Sequence, residues 1–79
     1  MTNLEKYNGV FCKSFEITED KLAGLKYQDI ELWDSVGHMT LVANLEDAFD
    51  IMFEAYDILH FGSYLNGIEI LKKYGVEFD

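Results

Sequence analysis

Asp34 and Ser35 place a carboxylate beside a hydroxyl, and His38 follows three residues later. On a helix, that spacing makes Ser35 and His38 neighbours on one side, so the first chemistry to weigh is nucleophilic. A serine nucleophile needs a base oriented by a third group, together with oxyanion donors in a cleft. No spacing in the chain assembles those partners, and so short a bundle leaves little room for a substrate pocket. Hydrolysis is therefore not the expected chemistry, and the chain is not read as an enzyme. Metal chemistry fares no better. Cys12, His38 and His60 are too few and too dispersed for a zinc site, and the acids never fall into the alternating pattern of a calcium loop. Both histidines read as surface or boundary residues.

Ser35 has a second chemistry, as the acceptor of a group. A serine at a helix start holds its oxygen next to unpaired backbone amides and the positive end of the helix dipole, which together stabilise a phosphate ester. Asp34 would cap the same helix, worth about 1 kcal/mol, and would be placed to help coordinate the cation of a phosphoryl-transferring partner. Asp-Ser before a helix is common for capping alone, so the dipeptide decides nothing without its context.

The context is helical. From Ser35 to Phe49, Leu41, Val42, Leu45 and Phe49 recur on one face, which predicts a core stripe. Val36, Met39 and Ala43 form a second, narrower apolar line, flanked by Glu46, Asp47 and Asp50, and are candidates for a contact surface. Upstream, Thr2-Asn3-Leu4-Glu5 reads as a capping box opening a helix with Leu4, Tyr7, Phe11 and Phe15 on its stripe. Gly9 weakens that helix by up to about 1 kcal/mol relative to alanine. Between Phe15 and Trp33 the period lapses. Ile17, Leu22, Leu25, Tyr27 and Ile30 suit a long loop pinned by occasional buried side chains, with one short helical turn near Thr18-Glu19-Asp20. Loops of that length usually have a role. Downstream, Glu54 to His60 predicts a brief helix with Ile58 and Phe61 inward. Ser63 caps a last helix with Tyr64, Ile68 and Leu71 on its stripe, Lys72 and Lys73 at its negative end, and Gly75 to stop it. The expected fold class is all-α: a small four-helix bundle of three main helices and one short one. A long loop joins helices 1 and 2, and residues 1–79 form a single domain.

Charge narrows the partners. The 79 residues carry 15 acids against 6 lysines, a net charge of −9. That balance argues against nucleic acid, whose phosphates require a basic face, and against an anionic membrane surface. It favours partners with Lys and Arg patches. All six lysines lie near the two ends, and from Tyr27 through Leu71 there is neither Lys nor Arg. The lone Cys12 cannot close an internal disulfide. No apolar run approaches membrane-spanning length, and the opening residues do not read as a secretory leader. A cytoplasmic monomer is the expectation.

From Trp33 to about Ile70 the chain resembles the acyl carrier proteins. Their phosphopantetheine attachment motif, Asp-Ser-Leu at the start of the second helix, stands here within DSVGHMTLVANLEDAFDI. Asp34-Ser35, Leu41-Val42, Leu45-Glu46 and Phe49-Asp50 fall where that family has them, as do Phe53, Phe61, Ser63 and Ile68. The N-terminal half matches in layout only. The resemblance implies that a phosphopantetheinyl transferase moves 4'-phosphopantetheine from coenzyme A onto Ser35. Acyl intermediates then ride as thioesters on the terminal thiol, in fatty-acid, polyketide or related lipid biosynthesis. It implies further that Val36, Met39 and Ala43 form the apolar part of a docking surface for acyl-handling enzymes with basic surfaces. Asp34, Glu46, Asp47 and Asp50 supply its acidic part. The sequence departs from the family at Val36, which replaces leucine, and at Gly37 and Thr40, where acids are frequent. Trp33 before the motif fits stand-alone carriers of specialised pathways.

Tyr56, His60 and Leu65 stand at positions expected to face solvent, where the family has polar residues. With Tyr64 they suggest an apolar, aromatic patch. That motivates an alternative of another class: a protein-binding module, natural or engineered, on a carrier fold.

Overall fold

Thr2 opens the first helix by the reciprocal bonds its sequence predicts. Its hydroxyl accepts from the Glu5 amide at 3.0 Å, and the Glu5 carboxylate accepts from the Thr2 amide at 2.8 Å. Hydrogen bonding from Thr2, by its backbone amide foremost and then its side chain, holds the Glu5 carboxyl below its ordinary range. In the computed structural model, which describes residues 2–78, helix α1 then runs Asn3–Phe15. After a 3-10 turn at Glu19–Lys21 come α2 (Ser35–Phe49), α3 (Ala55–His60) and α4 (Tyr64–Lys73). Among the described residues there is no strand, only an isolated bridge between Lys26 and Ser63. The result is a small all-helical bundle. None of its helices among the described residues is long and apolar enough to cross a membrane.

The core is largely aromatic. Tyr7, Phe11 and Phe15 line the inner face of α1 and are buried. They meet Trp33, Phe61 and Tyr64, with Phe11 edge-on to Trp33 at 5.5 Å and Phe15 stacked on it at 5.2 Å. Such ring pairs add about 0.5–1.5 kcal/mol each beyond their buried area. Leu41, Val42 and Leu45 face this cluster from α2, while Phe49 is only half-buried. On α4 the buried face comprises Tyr64, Gly67, Ile70 and Leu71, with Ile68 at its margin. Gly67 is fixed by packing: a Cβ there would lie 2.3 Å from both the Phe61 ring and the Tyr7 hydroxyl.

The segment between α1 and α2 is held at several points. Leu22 and Leu25 are buried, Ile17 and Ile30 half-buried, and Tyr27 exposed. The Tyr27 amide donates to the Gly62 carbonyl and the Tyr64 amide to the Leu25 carbonyl, both at 2.9 Å. These bonds hook the segment onto the junction of α3 and α4. Its deepest anchor is Trp33, which is 0% exposed.

The short α3 is fastened by an acid. Asp57 is 3% exposed and accepts from the Lys73 ammonium at 2.7 Å and the Tyr74 hydroxyl at 2.5 Å. The Tyr74 oxygen in turn accepts from the Glu54 amide at 2.9 Å. Lys73, placed at the helix end by its sequence, thus does more than offset a dipole. Its hydrogen bond, then that of Tyr74, holds the Asp57 carboxyl below its ordinary range. The same hydrogen bond raises the Lys73 ammonium.

Candidate functional site

Asp34 caps α2, its Oδ1 accepting from the Gly37 amide at 2.8 Å. Gly37 is a poor residue for a helix's first turn by propensity, and the fold explains its presence. A Cβ at Gly37 would meet the Leu32 carbonyl oxygen at 1.7 Å, so the approaching loop leaves space for hydrogen alone. Any side chain at this position, an acid included, would have to displace the Leu32 backbone.

Ser35 follows the cap as the first residue of α2 and is exposed. Among the described residues no hydrogen bond engages its hydroxyl. His38, the candidate base, is occupied elsewhere. The Trp33 indole N–H donates to His38 Nδ1 at 2.9 Å, and His38 Nε2 lies 2.8 Å from the Ile58 carbonyl oxygen. An indole nitrogen can only donate and a carbonyl can only accept, so the ring is neutral with its proton on Nε2. Neither nitrogen is directed at Ser35, and the pair is not arranged for proton transfer. His60 is exposed, with Nδ1 2.8 Å from the Tyr56 carbonyl, and Cys12 is half-buried. Burial, then the charges of Glu19 and Asp20, raise the Cys12 thiol. No group of three metal-ligating side chains occurs among the described residues.

Beside Ser35 lies a cleft of about 370 Å³, lined by Tyr27, Ser35, His38, Met39, Ile58, Leu59, Phe61 and Gly62. This is more room than the chain length led us to expect. Its walls come from α2, α3 and the two flanking loops, and apart from the Ser35 hydroxyl they are mainly apolar. No one segment encodes it.

The residues expected from the sequence to form a docking surface divide in their exposure. Val36 (73%) and Met39 (51%) are exposed, as are Ala43, Asp34, Asp47 and Asp50. Glu46 is half-buried, and its carboxylate accepts from the Phe53 amide at 2.9 Å, closing the turn after α2. Asp50 also ends α2, in the left-handed region at φ 54°. Asp47 shares a shallow groove with Lys13 of α1, and Lys6 reaches the Ala48 carbonyl at 3.3 Å. The fold thus brings N-terminal lysines back beside the acidic middle of the chain.

The aromatic patch needs correcting. Tyr64 is only 8% exposed; its ring packs against Tyr7 and Phe11, and its hydroxyl donates to the Asn8 side chain. It belongs to the buried face of α4 with Gly67, Ile70 and Leu71, where its place on the helix stripe already put it, and not to the outward patch. Tyr56 is 66% exposed and stacks on His60 at a ring separation of 4.1 Å. Leu65 is exposed in a different setting, beside Ala23, Gly24, Leu25 and Lys26. Two further large apolar side chains in this part of the chain are exposed, Leu59 on α3 and Met52 in the loop before it.

Comparison with known proteins finds no matching family model, curated relative or solved structure.

Proposed function

We propose that the protein is an acyl carrier whose Ser35 bears a 4'-phosphopantetheine arm. The observation that carries this reading is a free serine hydroxyl on the first turn of a capped helix, at the mouth of an apolar cleft. The residues fit the arm. Ser35 is exposed for attachment, and Asp34 engages the Gly37 amide while the first two amides of α2 are left for a phosphate oxygen. The arm supplies a thiol on which an acyl group is held as a thioester. The chain itself binds and positions. Tyr27, Met39, Ile58, Leu59 and Phe61 offer apolar surface to a carried chain, and exclusion of water there slows hydrolysis of the thioester.

Docking follows from charge and exposure. Val36, Met39 and Ala43 present the apolar part, with Asp34, Asp47 and Asp50 around it; Glu46 contributes less, being engaged with Phe53. Weak, electrostatically steered contacts suit a protein that must visit and leave several basic enzymes, in the cytoplasm and as a monomer. Peptide mapping after treatment with a phosphopantetheinyl transferase and coenzyme A tests the reading. The arm is expected on Ser35 and not on Ser14 or Ser63.

A second reading rests on the exposed Tyr56–His60 stack. As a binding module, the protein would engage a partner protein through Tyr56, Leu59 and His60, with Leu65 at a separate contact and Tyr64 serving only as core. Polar replacement of Tyr56 and His60, neither of which lines the cleft, would then abolish partner association while leaving Ser35 loading intact. Unchanged association would dismiss this reading.

A further inference from the structure

The geometry points to His38 as a positioning residue that sets the opening of the cleft beside Ser35, and with it how much of a carried acyl chain is sheltered. This rests on the carrier reading for its cargo, but not for its structural content. Three observations converge on the ring. It forms part of the cleft wall. Its Nδ1 accepts from Trp33, the buried anchor two residues before Ser35. Its Nε2–H donates to the carbonyl of Ile58 on α3, whose side chain is part of the opposite wall.

The need for such a tie lies in α3. Six residues make too short a helix to persist in water unaided. Ile58 is third from its C-terminal end, among the last carbonyls, which have no intrahelical donor. Asp57 fastens the other side of α3 to Lys73 and Tyr74. On the cleft side the His38 N–H supplies the missing donor. The ring is further wedged among Trp33 (stacked, 6.3 Å), Tyr27 (5.4 Å) and Phe61 (6.1 Å). One neutral imidazole therefore fixes the start of α2, the end of the preceding loop and the wall facing them.

The test begins with the protein before loading. Nitrogen NMR of the imidazole is expected to show the Nε2–H tautomer, with slow exchange of the Trp33 indole proton; an Nδ1–H ring overturns the proposal. In His38→Phe, which keeps a ring but removes both polar atoms, exchange of the indole proton and of the α3 amides should accelerate at least about tenfold. The amides of α1 should change little. His38→Gln, offering one acceptor and one donor, should recover much of the protection. Unchanged α3 exchange in His38→Phe, or equal acceleration in every helix, overturns the proposal. If His38→Phe does not fold, the wild-type tautomer and His38→Gln decide. The loaded protein then tests shelter. Octanoyl thioester hydrolysis should be about tenfold faster in His38→Phe than in wild type, with butanoyl hydrolysis little changed. Equal octanoyl-to-butanoyl ratios in the two proteins overturn the shelter role. Failure of Ser35 to accept the arm defeats the carrier reading instead, and the exchange data still decide the tie.

Discussion

Around Ser35, individual side chains divide between holding and waiting. Asp34 holds the helix start, His38 holds Trp33 and α3, and the Ser35 hydroxyl engages neither. Asp34 and Ser35 were legible in the sequence because a cap and the residue after it are local features. His38 was placed correctly as a boundary residue, but its two partners were not foreseen, since Ile58 lies twenty residues away. Gly37 was read only as a missing acid, whereas a glycine in the first turn of an otherwise well-formed helix marks a close backbone approach. Gly37→Ala must displace the Leu32 carbonyl and is expected to destabilise the protein by about 1–3 kcal/mol, measured by urea unfolding. A gain in stability near the ordinary benefit of alanine over glycine in a helix would show that the loop yields without strain.

The elements themselves follow their local rules closely. Helix α2 begins and ends at the residues the pattern predicts, Ser35 and Phe49, because a strong cap precedes it and its apolar period is unbroken. The Thr2 capping box is equally local; Thr2→Ala should cost about 1 kcal/mol in thermal unfolding. The chain leaves α1 through Glu16 in the left-handed region at φ 56°, its amide donating to the Cys12 carbonyl. Glycine adopts that conformation without the penalty of a Cβ, so Glu16→Gly should stabilise by about 0.5–1 kcal/mol. A lower unfolding midpoint would contradict this. The segment before α2 was less legible. Leu22 and Leu25 were read as anchors, but Trp33 was weighed only as part of a motif, since aperiodic sequence does not tell which apolar residue goes deepest. Asp57 escaped notice for a related reason: its partners come from the end of α4, sixteen and seventeen residues on.

Across the whole molecule, a Cα radius of gyration of 11.3 Å matches the about 12 Å expected for a compact chain of this length, and the net charge of −9 is distributed over that small surface. Asp57 links charge to stability. Its folded-state carboxyl titrates below its ordinary value, so its contribution is complete above that value and disappears as pH falls through the folded one. Acid unfolding of wild type should therefore be steeper than that of Asp57→Asn, which should also be less stable at neutral pH; parallel pH curves would contradict the linkage. Lys6, Lys13 and Lys73, remote in sequence, return to the acidic half, where Lys73 pairs with Asp57, a placement that chain order concealed. The remaining acids and the exposed Val36 and Met39 are what a basic partner would meet. On the proposed carrier reading, one such partner leaves a phosphopantetheine on Ser35. Incubation with coenzyme A, Mg²⁺ and a broad-specificity phosphopantetheinyl transferase, read by intact mass, should add one phosphopantetheine to wild type and none to Ser35→Ala. No addition with several transferases, or equal addition to Ser35→Ala, would contradict the account.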